Sequence, residues 1–337
     1  MAEVILIPDT DTAELLRLFS GKKVLVLGDL VLDHYLEGSV DRISPEAPVP
    51  VVSLGDNSER WIPGGAANVA LNVLSLGGEP YLAGVTGKDM DGKILKKLLD
   101  ERGVDTSAVI EDPARPTTVK TRVTGRNHQL IRIDREKTDP IPEDVSSRLL
   151  DSVEGLLENM DSLVIEDYNK GVLTKAVIRR IMEQSRDRGL PVSVDPKLLN
   201  FWEYHGSSLF KPNRHEAGAA LGKVINSRED AVTAAETIMM RMGSAAVLLT
   251  LGSSGAILAD SRSNTTRHIP AVAKHVFDVS GAGDSVIAVM GLAACCSMDI
   301  YDAAMLAGLA AAAVCAEPGV YAVSPADVIR EAGRFGQ

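Results

Sequence analysis

Aromatic residues make up only 4% of the 337 positions, and there are three cysteines. Cys295, Cys296 and Cys315 lie in apolar, alanine-rich stretches, with no CxxC pair and no histidine at metal-ligand spacing. That excludes a disulfide-stapled framework and a zinc site of the usual pattern. The thiols read as small core side chains in a reducing compartment. No apolar run reaches the ~18 residues of a membrane span. Positive charge is also short: 35 Lys and Arg against 46 Asp and Glu leave a formal net charge of -11. Nucleic acid and anionic membrane surfaces are therefore not expected as partners, and any anion site must be small and focused. The stretch from Met1 to Leu16 carries acids where a secretory signal carries positive charge, so a cytoplasmic location is expected. Repeats, low-complexity tracts and a convincing linker are absent too, which points to a single domain over 1–337.

What is present is ordinary for a globular chain, 45% hydrophobic and 24% charged. Short β-branched runs alternate with helical patterns. KVLVLGD from Lys23, YLAGV from Tyr81, SLVIED from Ser162, VSVD from Val192 and AVLLTLG from Ala246 read as strands, with helices between them. This rhythm predicts an α/β fold, a doubly wound, mostly parallel sheet with helices on both faces. Two stretches break it. Residues 34–60 are rich in proline and turn residues, and residues 117–134 alternate as a hairpin across Gly125-Arg126-Asn127. Both are expected to form a small inserted β-sheet lid. Near the C-terminus, SVIAVMGLAACCSM and AAMLAGLAAAAVCA read as two close-packed helices of small residues.

The strongest local signal is Asp278-Val-Ser-Gly-Ala-Gly-Asp284, followed at once by an apolar helical pattern. Gly281 and Gly283 allow close approach, so the N–H groups of Gly281, Ala282, Gly283 and Asp284 can converge as an anion hole at a helix start. Asp284 beside such a hole can accept the proton of an attacking hydroxyl. The plainer reading is an N-capping aspartate after a glycine turn. A second glycine-rich turn, Pro63-Gly64-Gly65-Ala-Ala-Asn68, also opens a helix, and Asn68 can offer a donor and an acceptor to sugar hydroxyls. Asp29 and Asp33 follow the first strand, at the carboxyl end of the sheet where open α/β folds bind ligands, and both suit hydroxyl recognition. No GxGxxG follows that strand, so a dinucleotide fold is a poor reading.

Gly64, Gly65 and Asn68, with Ala70, Gly77 and Gly87 at their spacings, resemble the N-terminal signature of the ribokinase and phosphofructokinase-B sugar kinases. The Asp278–Asp284 segment resembles their C-terminal signature, with one departure at Val289, where a smaller residue is usual. Two signatures in order, more than 200 residues apart, imply a ribokinase-like fold and an ATP-dependent sugar kinase with Asp284 as general base. The same resemblance implies further roles. Asn213-Arg-His-Glu216 matches an NxxE motif whose Glu organises magnesium through water. Thr250, Gly252 and Gly255 match the turn that backs the ATP phosphates and ribose. Asp278, with the Gly319–Ser324 loop, matches the position of a monovalent cation such as potassium, and a homodimer through the lid sheets is expected.

Within the superfamily, the chain resembles the D-glycero-β-D-manno-heptose 7-phosphate kinases of the ADP-heptose pathway. The resemblance rests on GDLVLDHYLEGSVDRISPEAPVPVV from Gly28, GGAANVALNVLSLGG from Gly64, KTRVTGRNHQLIRID from Lys120, DYNKGVL from Asp167 and DPK from Asp195. It implies phosphorylation of the anomeric hydroxyl to give the 1,7-bisphosphate, a precursor of lipopolysaccharide heptose. A phosphorylated sugar needs a cationic clamp remote from the transfer. Lys120, Arg122, Arg126 and Arg132 cluster on the predicted hairpin, with Arg122 the first choice; edge charges that merely protect a strand are the competing reading. Lys197 can reach the transferring phosphate oxygens. Asp167, Asn169 and Lys170 line a strand end, and Asp195 orients either Lys197 or the sugar. Two other readings stay open: a kinase for another phosphorylated sugar, such as a fructose or tagatose phosphate, and a noncatalytic sugar or nucleotide sensor.

Overall fold

The computed structural model describes residues 9–125, 128–273 and 276–335, without the side chains of residues 9–11. In chain order the first elements are α1 (Asp9–Arg17), β1 (Lys23–Gly28), β2 (Leu30–Ile43), β3 (Pro50–Gly65), α2 (Ala66–Ser75), β4 (Glu79–Gly87), α3 (Met90–Asp100) and β5 (Asp105–Asp112). Next come β6 (Thr118–Gly125), β7 (His128–Arg135), α4 (Glu143–Leu157), β8 (Ser162–Glu166), α5 (Lys175–Asp187), β9 (Val192–Asp195) and β10 (Leu209–Phe210). The last are α6 (Arg214–Leu221), α7 (Arg228–Met242), β11 (Ala246–Thr250), β12 (Ala256–Asp260), β13 (Thr265–Ile269), α8 (Ala282–Ala293), α9 (Ile300–Cys315) and α10 (Pro325–Phe335).

Among the described residues nine strands form one sheet, in the order β13-β12-β11-β10-β9-β8-β1-β4-β5. It is parallel from β5 to β11, with β12 and β13 antiparallel at one edge. The chain leaves β1 toward β4 and β5, then returns on the other side through β8 and β9. The connections therefore reverse between β1 and β8, which opens a crevice beyond their carboxyl ends.

The two faces of the sheet follow from the period of two along each strand. Val24, Val26, Val164, Leu209 and Leu248 pack with α2, α8 and α9. Leu25, Leu27, Leu163, Ile165, Val192 and Val194 pack on the other face with α4, α5 and α7. Both faces are dry, which is why these strands are apolar almost without interruption.

A second sheet has the order β3-β2-β6-β7. Residues 34–60, which read as turn-rich, are mostly extended. Their prolines, Pro45, Pro48 and Pro50, gather at the tip of the long β2–β3 hairpin, and the rest pairs antiparallel as far as Leu30↔Gly65. β2 also pairs in parallel with β6, which forms a hairpin with β7. β10 escapes a reading by pattern because two residues cannot display a period.

α8 lies close on the main sheet because Gly291 has no side chain there; a Cβ at this position would overlap Val164 Cγ2. Valine has one stiff χ1 and cannot swing aside. Gly155 in α4, by contrast, has open space around its missing Cβ. Gly291→Ala should therefore cost about 1–3 kcal/mol despite the gain in helix propensity, whereas Gly155→Ala should stabilise by up to about 1 kcal/mol. Urea unfolding midpoints at constant slope will separate the two. Equal shifts would contradict the close approach.

Candidate active site

The crevice is closed from one side by the N-terminus of α8. Gly281 precedes this helix in the left-handed region, at φ 81°, and no side chain caps it. Ala282 N–H reaches Val279 O at 3.3 Å, and the regular ladder begins with Ser285 N–H to Gly281 O. Gly283 and Asp284 lie in the first turn, where an α-helix supplies no backbone acceptor, so their N–H groups are available to an anion. Gly283 itself is helical rather than left-handed. Its missing side chain leaves the approach to Lys211 Nζ and Asp195 Oδ2 open, at 3.6 and 3.7 Å from where a Cβ would be.

Asp284 does not cap the helix. Its carboxylate is buried and receives Asn68 Nδ2 at Oδ2 (2.6 Å) and Tyr168 Oη at Oδ1 (3.1 Å). Asn68 lies in the first turn of α2, which opens from Gly65 at φ 59°. Asn72, one turn on, donates to Asn68 O and Oδ1. The two glycine turns are thus joined by a single side-chain hydrogen bond across 216 residues of sequence. Burial pushes the Asp284 carboxyl up to about 6, opposed by Asn68 and reinforced by the Asp195 charge.

Strand register explains what surrounds it. Gly28, Glu166 and Asp195 are cross-strand neighbours at the ends of β1, β8 and β9, on the face toward α8. Asp195 pairs with Lys211 at 2.7 Å, and Lys211 is buried just beyond β10. Glu166 is fully buried, and neither of its carboxyl oxygens has a hydrogen-bond partner. Burial, followed by the charges of Asp195 and Asp284, raises its pKa well above the usual carboxyl range. Lys197 Nζ contacts Glu216 at 2.7 Å, stands 3.9 Å from Asp195 and lies 5.1 Å above the Tyr168 ring. Burial, the largest single effect, lowers its pKa, but Asp195 and Glu216 together hold the ammonium above the usual lysine range.

Two acids assigned to the substrate from sequence have other partners in the structure. Asp29 is buried, and its carboxylate accepts the N–H groups of Tyr168 (2.7 Å), Lys170 (3.0 Å) and Val172 (3.4 Å), which shapes the loop after β8. Asp167 points to the opposite face from Glu166. It accepts Tyr204 Oη at 2.6 Å and Asn169 N–H at 2.8 Å, and burial raises its carboxyl to about 6. One-residue alternation separates the two acids. Asp195 is also nearer Lys211 than Lys197, which settles its pairing in favour of a lysine absent from the sequence reading.

The second sheet meets the crevice through Gly64, where a Cβ would overlap Asp33 Oδ2. Asp33 pairs with Arg122. Register sets Arg60, Tyr35, Arg122 and Arg132 side by side on four strands, and Arg60 and Arg122 lie 5.5 and 5.2 Å from the Tyr35 ring. The next row holds Asp33, Lys120 and Asp134. Lys120 reaches Asp134 at 3.3 Å and Glu136 at 3.6 Å, and Lys170 reaches Glu136 at 2.8 Å. Arg126 lies outside the described residues. Tyr35 Oη would stand 3.3 Å from a Cβ on Gly319, whose N–H donates to Asp278 Oδ2 at 3.1 Å.

On the far side of α8 lies an apolar cavity of about 350 Å³, lined in part by Thr250, Gly252, Gly255, Ala282, Gly283 and Cys315. Asn213 and Glu216 form a reciprocal capping box at the start of α6, so the plain helix-start reading of this motif is also true. One Glu216 oxygen accepts Asn213 N–H, and the other faces Lys197. Among the described residues no three His, Cys, Asp or Glu side chains gather as a metal cage. Tyr168, Glu166, Lys211 and Arg60 are the site residues that sequence reasoning missed. Strand alternation alone could have placed Glu166 and Asp167 on opposite faces of the sheet.

Residues 22–327 match the pfkB family of carbohydrate kinases. The bifunctional protein HldE of Caulobacter vibrioides is 44% identical over 95% of this chain, and that of Geobacter metallireducens is 41% identical over 92%. The chain spans 65% and 62% of those relatives' lengths, less than two thirds of each. Phosphofructokinase-2 from Escherichia coli, in complex with potassium, superposes with a TM-score of 0.76 at 20% identity, covering 94% of this chain and 100% of that one. Arabidopsis thaliana ribokinase, complexed with ribose and ATP, gives 0.73 at 19%, covering 93% and 99%. At such identities the structural likeness establishes the ribokinase-like fold.

The raised carboxyl of Asp284 has a stability consequence. An acid whose pKa is higher folded than unfolded favours the folded state at low pH, and that advantage is lost as pH rises from 3.8 to about 6. Asp284→Asn should therefore stabilise the protein by about 1–3 kcal/mol at pH 8, with the gain gone below pH 4. Thermal unfolding of both proteins across this range checks it; a gain independent of pH would rule out the charge as its cause.

Proposed function

We propose, from the fact that the chain belongs to the pfkB family of carbohydrate kinases, that this ATP-dependent sugar kinase takes D-glycero-β-D-manno-heptose 7-phosphate and phosphorylates its anomeric hydroxyl. The observation that carries the reading is the layout of the site, with a hydroxyl-facing acid at one end and a row of arginines at the other. The long sequence resemblance to heptose 7-phosphate kinases supplies the identity of the sugar and its place in the route to ADP-heptose.

In this reading the apolar cavity receives the adenine and ribose of ATP, with Thr250, Gly252 and Gly255 against them. The phosphates extend toward the open N–H groups of Gly283 and Asp284, with Gly281 and Ala282 shaping the turn. Lys197 and Lys211 face the same space. Magnesium, held by the nucleotide and by water within reach of Glu216 in the capping box with Asn213, would offset phosphate charge. A potassium ion would sit against Asp278 and the Gly319 loop. The sugar lies between Asn68 and Asp33, over Gly64 and Gly65. The acceptor oxygen attacks the γ-phosphorus, the bond from phosphorus to the ADP oxygen breaks, and the hydroxyl proton passes to Asp284.

The 7-phosphate then falls on Arg122, with Arg60 on the other side of Tyr35 and Lys120 and Lys170 in the adjoining row. To bind it, Arg122 must exchange Asp33 for phosphate, which frees that carboxylate for a sugar hydroxyl. Closure of the second sheet over the sugar would exclude water. Its edge strand β7 exposes Leu130, Ile131 and Ile133, an apolar surface suited to the same sheet of a second copy and hence to a homodimer.

Purified protein with ATP and the heptose 7-phosphate should give a product whose phosphorus NMR spectrum shows an anomeric phosphate; use of fructose 6-phosphate alone would overturn the assigned acceptor. Asp284→Asn should lower turnover by about 10²–10⁴-fold while nucleotide binding persists. Arg122→Ala should raise the KM for the sugar phosphate about 10- to 100-fold and leave the KM for ATP alone. An equal loss with an unphosphorylated sugar would contradict the clamp.

A further inference from the structure

The loop after β8 holds Tyr168 in a fixed place. Asp29 accepts the N–H groups at 168, 170 and 172, and Asn169 between them takes a left-handed conformation at φ 54°. The ring is thereby set beneath the Lys197 ammonium, with its hydroxyl on Asp284 Oδ1. Asn68 holds the other oxygen. We infer that Tyr168 is a positioning residue for phosphoryl transfer, one that orients the Asp284 carboxylate and links it through the ring to Lys197 on the nucleotide side. The inference rests on the proposed kinase reaction.

Two neutral donors, one on each oxygen, fix the plane of the carboxylate before the acceptor arrives. Each oxygen keeps a further lone pair, so holding the acid does not stop it taking a proton. A cation above the ring strengthens the phenol as a donor, so the tie responds to charge on the nucleotide side. A hydrogen bond to the charged form of an acid also lowers its basicity. The groups that face Asp284 are Asn68 from α2, Tyr168 and Glu166 from the end of β8, Asp195 from β9, and Lys211 from beyond β10. From the α9 side Val314 backs Gly281, and the Cys315 thiol faces Asp278 instead. Asp195 opposes the charge on Asp284, whereas Lys211 favours it. Tyr168 stays a protonated donor, because the Asp284 charge and burial push its phenol well above the usual value.

Tyr168→Phe keeps the ring and removes the donor. With ATP and the heptose 7-phosphate, kcat should fall about 5- to 10-fold with both KM values nearly unchanged, and the acid limb of the pH profile should move up by about one unit. A tyrosine that merely fills space would leave the limb in place, and that result would overturn the inference. A second measurement needs no acceptor. At pH 8 Tyr168→Phe should lower Tm in the wild-type background but have no further effect in Asp284→Ala. An equal loss in both backgrounds would sink the tie, even if the protein proved to use another sugar.

Discussion

A single aspartate held at an uncapped helix start organises this protein. Asp284 is buried at the first turn of α8, and an ionised carboxylate there is costly unless donors meet it. Asn68 and Tyr168 are those donors, and each imposes a condition on a distant part of the chain. Asn68 requires α2 to begin at Gly65, with Gly281 left free of a side chain beside its amide. Tyr168 requires the loop after β8 to be pinned, which is the task of Asp29. Among the buried acids near the crevice, Asp284 lies at the start of α8, whereas Asp29 and Asp167 accept hydrogen bonds from the loop after β8.

The same constraint couples the two sheets. β2 leaves the end of β1 after one residue, and β3 runs directly into α2. The second sheet is consequently not a separate module on a flexible tether: its strands begin and end at the residues that shape the crevice. A shift of β2 or β3 would be felt at Asp33, Gly64 and Gly65, and through α2 at Asn68.

The parallel core was legible because strands buried on both faces are nearly uninterrupted apolar runs, and the two glycine turns were legible because each opens an apolar helix. Register was not. The sequence of β8 and β9 displays Glu166, Asp167 and Asp195, but only the pairing Glu166↔Asp195 puts two of them on the α8 face and turns Asp167 away. Arg60 was hidden for the same reason, since its neighbours Tyr35 and Arg122 come from strands far apart in sequence. The hold of Asp29 on three loop amides was not legible, because an acid at a strand end can serve loop amides as well as a ligand. Residues 34–60 looked turn-rich because three prolines gather at one hairpin tip and obscure the extended arms.

The net charge of -11 poses an electrostatic question for the proposed reaction, which brings two phosphorylated compounds together. Its answer is local. Lys211 is matched by Asp195, Lys197 by Glu216, Lys170 by Glu136 and Arg122 by Asp33, so the cations around the crevice already have anionic partners. With carboxylates already in contact with these cations, an incoming phosphate has only to exchange one oxygen partner for another. The desolvation cost has largely been met during folding, so the exchange is less costly than stripping water from an exposed lysine. It also releases a carboxylate at the moment a hydroxyl-rich substrate arrives. In the proposed reaction Asp33 is placed to profit from that exchange, and an acidic chain can select a sugar phosphate without a broad positive surface.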